Sequence, residues 1–203
     1  SITGWYTDKA LTQRVSSVKL ADKDVYLYPK VEDGYWITYD SNGGSYIEPD
    51  FFASGAAAKA PSDPSKLGYV FDGWYTSAEG GNKVDFAGIN TSTTVHAHWT
   101  AAKNTKYTVI HWQENANDDG YSFTASETKT GTTGAQTAAG NKTYLGFTAQ
   151  TVTQKSIAGD GSTIVNVYYK RNVYEVKFYS NSGLFSPSKE YTQLRITAKF
   201  GAY

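Results

Sequence analysis

Tyr35-Trp36-Ile37-Thr38-Tyr39-Asp40-Ser41-Asn42-Gly43-Gly44 decides how the rest of the chain is read. Tyr35, Ile37 and Tyr39 share one period-two phase, which puts one face of a strand on a core and the other in water. Asn42 and Gly43 tolerate positive φ, so the strand is expected to run into a hairpin turn. A second strand should follow near residues 46–52.

The opening strand recurs. Tyr107-Thr108-Val109-Ile110-His111 begins 72 residues after Tyr35, and Tyr174-Glu175-Val176-Lys177-Phe178 a further 67 residues on. A second element also repeats: Gly4-Trp5-Tyr6-Thr7 returns as Gly73-Trp74-Tyr75-Thr76 at a spacing of 69, and Tyr26-Leu27-Tyr28-Pro29-Lys30-Val31 returns as Thr94-Val95-His96-Ala97-His98-Trp99 at 68. Self-similarity at a near-constant period marks an array of modules.

The sequence therefore divides into the second half of a module (1–32), a complete module (33–101), a divergent complete one (104–171) and the start of another (172–203). Thr100-Ala101-Ala102-Lys103-Asn104 reads as a linker. Lys170-Arg171-Asn172 is shorter, so the strand before it should run almost directly into the next module and stiffen that junction. Ser1 to Thr7 already read as the middle of a repeated motif, and no initiator Met precedes them. A segment of a longer polypeptide is expected.

Within 33–101, Ala56-Ala57-Ala58-Lys59-Ala60 has helix-forming composition, but Pro61 and Pro64 limit it to a turn or two. Residues 67–75 read as a third strand with aromatics on both faces, and Val84-Asp85-Phe86 begins a compact connection to the last strand. The expected fold is mainly β (α+β): tandem small modules of four strands and one short crossover, of β-grasp or ubiquitin-like type, strung into an elongated array.

Composition agrees with small cores. There are no cysteines, so disulfides cannot staple the modules. The 17 Tyr, 9 Phe and 5 Trp offer another source of stability, since each buried aromatic removes about 150–250 Å² from water. The 19 Lys plus Arg balance 19 Asp plus Glu, which leaves no electrostatic footprint for nucleic acid. No apolar run approaches the roughly 20 residues that span a bilayer, so membrane insertion is not expected.

Tyr39-Asp40-Ser41-Asn42-Gly43-Gly44, Pro61-Ser62-Asp63-Pro64, Gly68-Tyr69-Val70-Phe71-Asp72-Gly73-Trp74-Tyr75-Thr76 and a terminal strand ending in Trp99 occur in that order. Together they resemble the Listeria–Bacteroides repeat, also called the internalin B-repeat, across roughly residues 35–99. Residues 1–31 are similar to the second half of such a repeat, with Val31 where the closing Trp is expected. Tyr144-Leu145-Gly146-Phe147 and Asn166-Val167-Tyr168-Tyr169-Lys170 give 107–170 a resemblance to the mucin-binding-protein (MucBP) repeat. These resemblances imply an extracellular stalk on a bacterial surface, anchored to the cell wall outside this segment, acting as a spacer and in some proteins contributing to adhesion.

Candidate chemistry is sparse. His96 and His98 share a strand face at a spacing that suits a metal pair, but they match Tyr28 and Lys30 in the earlier copy, so the positions read as variable. His111 is the third histidine. Asn115-Ala116-Asn117-Asp118-Asp119-Gly120 reproduces part of a calcium loop, then departs from it, with Ser126 at the twelfth position and Glu127 one residue late. The same residues suit a hairpin loop. No nucleophile elbow, catalytic cysteine or phosphate-binding glycine loop is present.

No catalytic, cofactor-binding or metal residue is therefore assigned, and no cofactor or enzymatic activity is expected. Trp5 and Trp74 recur at matching positions and, with Trp99, are expected in cores, while Trp36 and Trp112 lie in opening strands. The leading expectation is a non-enzymatic, monomeric spacer whose neighbours are repeats of the same chain. Alternatives are an adhesin module that binds a host glycan or surface protein through exposed aromatics, and lateral self-association through unpaired edge strands. A Lys–Asn isopeptide bond could replace the missing disulfides.

Overall fold

The computed structural model describes residues 1–180 and 189–202. Residues 181–188 and 203, in the stretch expected to start a further module, lie outside the described residues. The chain forms two compact units, residues 1–100 and 101–203, both mainly β. Among the described residues no helix is long and apolar enough to cross a membrane.

The first unit begins with strands β1 (Ile2–Tyr6), β2 (Arg14–Val15) and β3 (Tyr28–Val31), an antiparallel sheet in the order β2-β1-β3. No residue of 1–34 is buried. A four-stranded sheet follows: β4 (Gly34–Asp40), β5 (Asp50–Ala53), β6 (Tyr69–Tyr75) and β7 (Thr93–Ala101), ordered β5-β4-β7-β6. β4 pairs antiparallel with β5 and parallel with β7.

The period-two reading of β4 holds: Tyr35, Ile37 and Tyr39 are buried, and every residue between them is exposed. They pack with Ala58, Trp74, Val95 and Ala97, flanked by Phe71, Phe86 and Trp99. The turn at 41–44 also forms. Asn42 and Gly43 have φ of 51° and 85°, and Gly44 N–H donates to Ser41 O at 3.0 Å, the pattern of a type I′ turn.

The second strand starts later than expected, at Asp50. Pro49 cannot donate to a strand ladder, and Ser45 pairs instead with the next loop, donating to Ser65 O at 2.8 Å and accepting from Ser65 N–H at its Oγ at 2.9 Å. The turn therefore opens a longer connection and does not close a tight hairpin. Residues 56–66 form no helix; with two prolines close behind, the alanine run is irregular, and it buries Ala58 in the core.

β6 carries an unusual side-chain phase. Phe71 and Trp74 both reach the core, although residues three apart on a regular strand face opposite ways. Gly73 resolves this: its φ of 135° resets the alternation, and a Cβ there would stand 2.7 Å from Lys83 Cε. After β6, Asp85 caps a short 3-10 turn (Phe86–Gly88) by accepting from Ala87 N–H at 3.1 Å.

The second unit contains β8 (Thr105–Glu114), β9 (Tyr121–Gly131), β10 (Phe147–Ala149) and β11 (Ile164–Arg171), ordered β10-β11-β8-β9. β8 is antiparallel to β9 and parallel to β11. Both four-stranded sheets thus run second, first, fourth, third. This core comprises Tyr107, Val109, Ala139, Ile157, Val165, Val167 and Tyr169. β12 (Val173–Val176) pairs antiparallel with β13 (Ile196–Lys199), and only Asn172 separates β11 from β12. None of the described residues after Arg171 is buried.

Candidate functional site

His96 and His98 do share the outer face of β7, alternating with the buried Val95 and Ala97. They do not converge on one point. His96 Nδ1 lies 3.0 Å from Asp40 Oδ2, and the Asp40 carboxyl is held below its usual range first by Asn42 N–H and then by this imidazole. His98 donates from Nε2 to Ser77 O at 2.9 Å, and its ring stacks on Tyr75 at 3.9 Å. Among the described residues, no three His, Cys, Asp or Glu side chains cluster as a metal site would require.

The 115–120 segment is the loop joining β8 to β9. Asn115 N–H donates to Gly120 O at 2.8 Å. Asp118 Oδ1 accepts from Asn115 Nδ2 at 2.8 Å and from Gly120 N–H at 2.6 Å. Ser126 and Glu127 lie in β9 and take no part in it. The cation brought to this loop is an ammonium: Lys199 Nζ stands 2.9 Å from Asp118 O, 3.0 Å from Asp119 Oδ1 and 3.1 Å from Glu114 Oε1. Asp119 first, and then Glu114, raise the Lys199 pKa.

Lys199 belongs to a wider joint between β11 and the β12–β13 pair. Arg171 N–H donates to Glu114 Oε2 at 2.8 Å, its Nε to Glu114 O at 2.6 Å and its Nη1 to Phe200 O at 2.6 Å. The guanidinium also covers the Phe147 ring at 4.7 Å. Phe200 packs edge-on to Phe147 and Tyr174. Backbone bonds run from Asn172 N–H to Gly146 O at 2.9 Å and from Phe200 N–H to Asn172 O at 2.8 Å. The one-residue spacing of the strands was the only signal of this joint in the sequence; Arg171 and Lys199 sit in no motif.

His111 is fully buried, with Nδ1 2.8 Å from the Tyr169 hydroxyl. Lys142 N–H donates to that oxygen at 2.7 Å. Nε2 lies 3.5 Å from Glu127 Oε1 without hydrogen-bond geometry. Burial pushes the His111 pKa down. This centre had no sequence signal beyond one histidine in an inward phase.

The tryptophans divide. Trp74 is buried between Tyr39 at 5.2 Å and Phe71 at 5.5 Å, and half-buried Trp99 donates to Ser41 O at 2.9 Å. Trp5, expected in a core by its match to Trp74, is 44% exposed, because residues 1–32 contain no counterpart of Tyr39 to cover it. Outer-face pairs occur in both four-stranded sheets: Trp36 sits opposite Phe51 and Trp112 opposite Phe123, with ring centroids 5.4 and 6.1 Å apart. A separate open depression of about 480 Å³ is lined by Lys66, Tyr69, Asp72, Glu79, His98 and Trp99. No lysine is buried among the described residues, whereas a protected isopeptide bond would draw its amine from an interior.

The model of the Listeria-Bacteroides repeat domain family matches residues 35–98, the span that carries that resemblance in the sequence. A provisionally named membrane protein of Evansella cellulosilytica is 29% identical over 59% of this chain, and a provisionally named Gly-rich membrane protein of the same organism is 34% identical over 37%. Internalin H of Listeria monocytogenes is 32% identical over 43% of the chain. The matched stretches span 18%, 9% and 16% of those three relatives.

Proposed function

We propose that this chain is a non-enzymatic, extracellular stretch of a bacterial surface protein, built from tandem β-grasp-like modules, the third of them MucBP-like, that hold other parts of the protein away from the cell wall. The repeat-family match and the likeness to internalin H support a surface repeat protein. The spacer reading rests on one observation: Arg171 and Lys199 tie β8, β11 and β13 into a single joint. Such a joint resists bending at the place where a stalk would otherwise hinge. Backbone ¹⁵N relaxation tests this. Residues 105–171 and 173–199 should share one rotational correlation time; two distinct times would overturn the spacer reading.

A second reading, adhesion, is favoured by the repeated outer-face pairs Trp36–Phe51 and Trp112–Phe123, since exposed aromatic faces suit sugar rings and protein partners. Trp36 is 45% and Phe123 60% exposed. A glycan array and host-protein binding assay should then give signals that fall in Trp36→Ala and Trp112→Ala. Equal signals from native and variant chains, or none, would reject it.

A further inference from the structure

The sheet of the second unit ends in a long edge that lies inside a four-stranded module, far in sequence from either end of the chain. β9 runs for 11 residues, has β8 on one side and stands last in the order β10-β11-β8-β9. Its counterpart in the first four-stranded sheet, β5, has four residues. No proline and no interior glycine interrupts β9, and Ser126, Thr128 and Thr130 are exposed.

The backbone groups of this edge are identified by the ladder beside it. Thr108 N–H donates to Thr163 O at 2.9 Å, so Thr108 and Ile110 turn their backbone groups to β11, and Tyr107 and Val109 turn theirs to β9. Tyr107 and Val109 stand opposite Lys129 and Glu127, which are therefore the residues bonded to β8. Ser126, Thr128 and Thr130 aim their N–H and C=O groups away from the sheet, and among the described residues those groups have no hydrogen-bond partner.

A row of alternating donors and acceptors fits another extended backbone, and the side chains select which one. The two charged residues of β9 are Glu127 and Lys129, 3.6 Å apart on one strand. Two copies of β9 set antiparallel about Thr128 put Thr128 opposite Thr128 and Ser126 opposite Thr130 as hydrogen-bonded pairs. Glu127 then faces Lys129 at both intervening, non-hydrogen-bonded positions, where opposed side chains come closest. A lysine on an edge ordinarily keeps strands apart; in this register the glutamate of the second copy neutralises it. Centring on Ser126 would instead set Lys129 against Phe123 and Glu127 against Ala125, leaving both charges unmatched.

We propose that two copies of this chain pair along β9, antiparallel and centred on Thr128, forming an eight-stranded sheet ordered β10-β11-β8-β9-β9-β8-β11-β10. The contact is isologous, so it closes at two copies. It goes beyond the spacer reading and does not depend on it.

The full chain over a concentration series tests the proposal. In analytical ultracentrifugation the native chain should pass from its 22.2 kDa monomer to twice that mass and stop there. Hydrogen exchange locates the contact: the Thr128 and Thr130 amides should exchange freely in dilute solution and roughly tenfold more slowly or better in the dimer, while the Val109 amide stays protected in both. Glu127→Lys sets lysine against lysine and Lys129→Glu sets glutamate against glutamate, so each variant alone should remain monomeric. An equimolar mixture of the two restores opposite charges at both positions and should recover the dimer, which also shows that both variants are folded. A native chain that stays monomeric, a dimer whose Thr128 and Thr130 amides exchange as fast as the monomer's, a dimer that persists in either single variant, or a mixture that stays monomeric would each overturn the proposal.

Discussion

Arg171 donates to Glu114 twice: its side-chain Nε to the Glu114 backbone oxygen at 2.6 Å, and its backbone N–H to the Glu114 carboxylate at 2.8 Å. The pair ties the last residue of β8 to the last residue of β11. From there the same guanidinium reaches Phe200 O, and Glu114 Oε1 reaches Lys199.

Arg171→Lys should therefore fail to replace arginine, because an ammonium cannot span Glu114 O and Phe200 O in the fixed fork of a guanidinium. Hydrogen exchange is expected to accelerate at Asn172 and Phe200 N–H in this variant, while the amides of Val165 and Val167 remain protected. Unchanged exchange at Asn172 and Phe200 would show that the guanidinium contributes nothing to the joint.

His111 makes the second unit sensitive to acid. Burial lowers its folded pKa, with Lys142 and Lys129 acting in the same direction and Glu127 opposing them. The unfolded chain therefore takes up this proton first as pH falls. The stability that the neutral ring contributes is complete above its unfolded pKa of about 6.5 and is lost progressively below it. Thermal denaturation between pH 7.5 and 5 should show a decline in the transition of this unit that His111→Gln flattens. An equally steep decline in the variant would place the effect elsewhere.

Trp74 contributes through its rings. Its Nε1 has no hydrogen-bond partner although it is buried, so Trp74→Phe removes an unsatisfied donor along with some area. Trp74→Ala should cost about 3–5 kcal/mol, and Trp74→Phe no more than roughly half of that. Urea denaturation compares the two, and equal losses would indicate that the indole nitrogen is satisfied in solution.

Gly44→Ala should displace Trp99, since a Cβ at position 44 would collide with the Trp99 ring. The expected loss is about 1–3 kcal/mol, the usual range for overpacking, accompanied by a red shift in tryptophan emission as the Trp99–Ser41 hydrogen bond breaks. A variant with native stability and emission would contradict the tight seat of Trp99 on this turn.

Strand phase was legible because burying one face leaves a period-two trace, as in Tyr35, Ile37 and Tyr39. The turn at Asn42-Gly43 was legible because so few residues accept its φ. Recurrence misled at Trp5: a repeat transmits the residue, but burial needs the partner strand as well. The phase reset at Gly73 left no mark in a pattern of alternating aromatics. The joint at Arg171 and Lys199 was invisible beyond its short spacing, because it depends on side chains 28 residues apart in sequence meeting a third element. The pairing of Lys199 with the 115–120 loop likewise turned a calcium-like spacing into a hairpin held by an ammonium.

Rigidity at the β11–β12 junction is the central claim, and a distance distribution measures it directly. The chain has no native cysteine, so Thr130→Cys and Thr197→Cys place two spin labels, on β9 and β13, for double electron–electron resonance. A single narrow distribution is expected, broadening when Arg171→Ala and Lys199→Ala are combined. A broad distribution in the otherwise native chain would contradict the account.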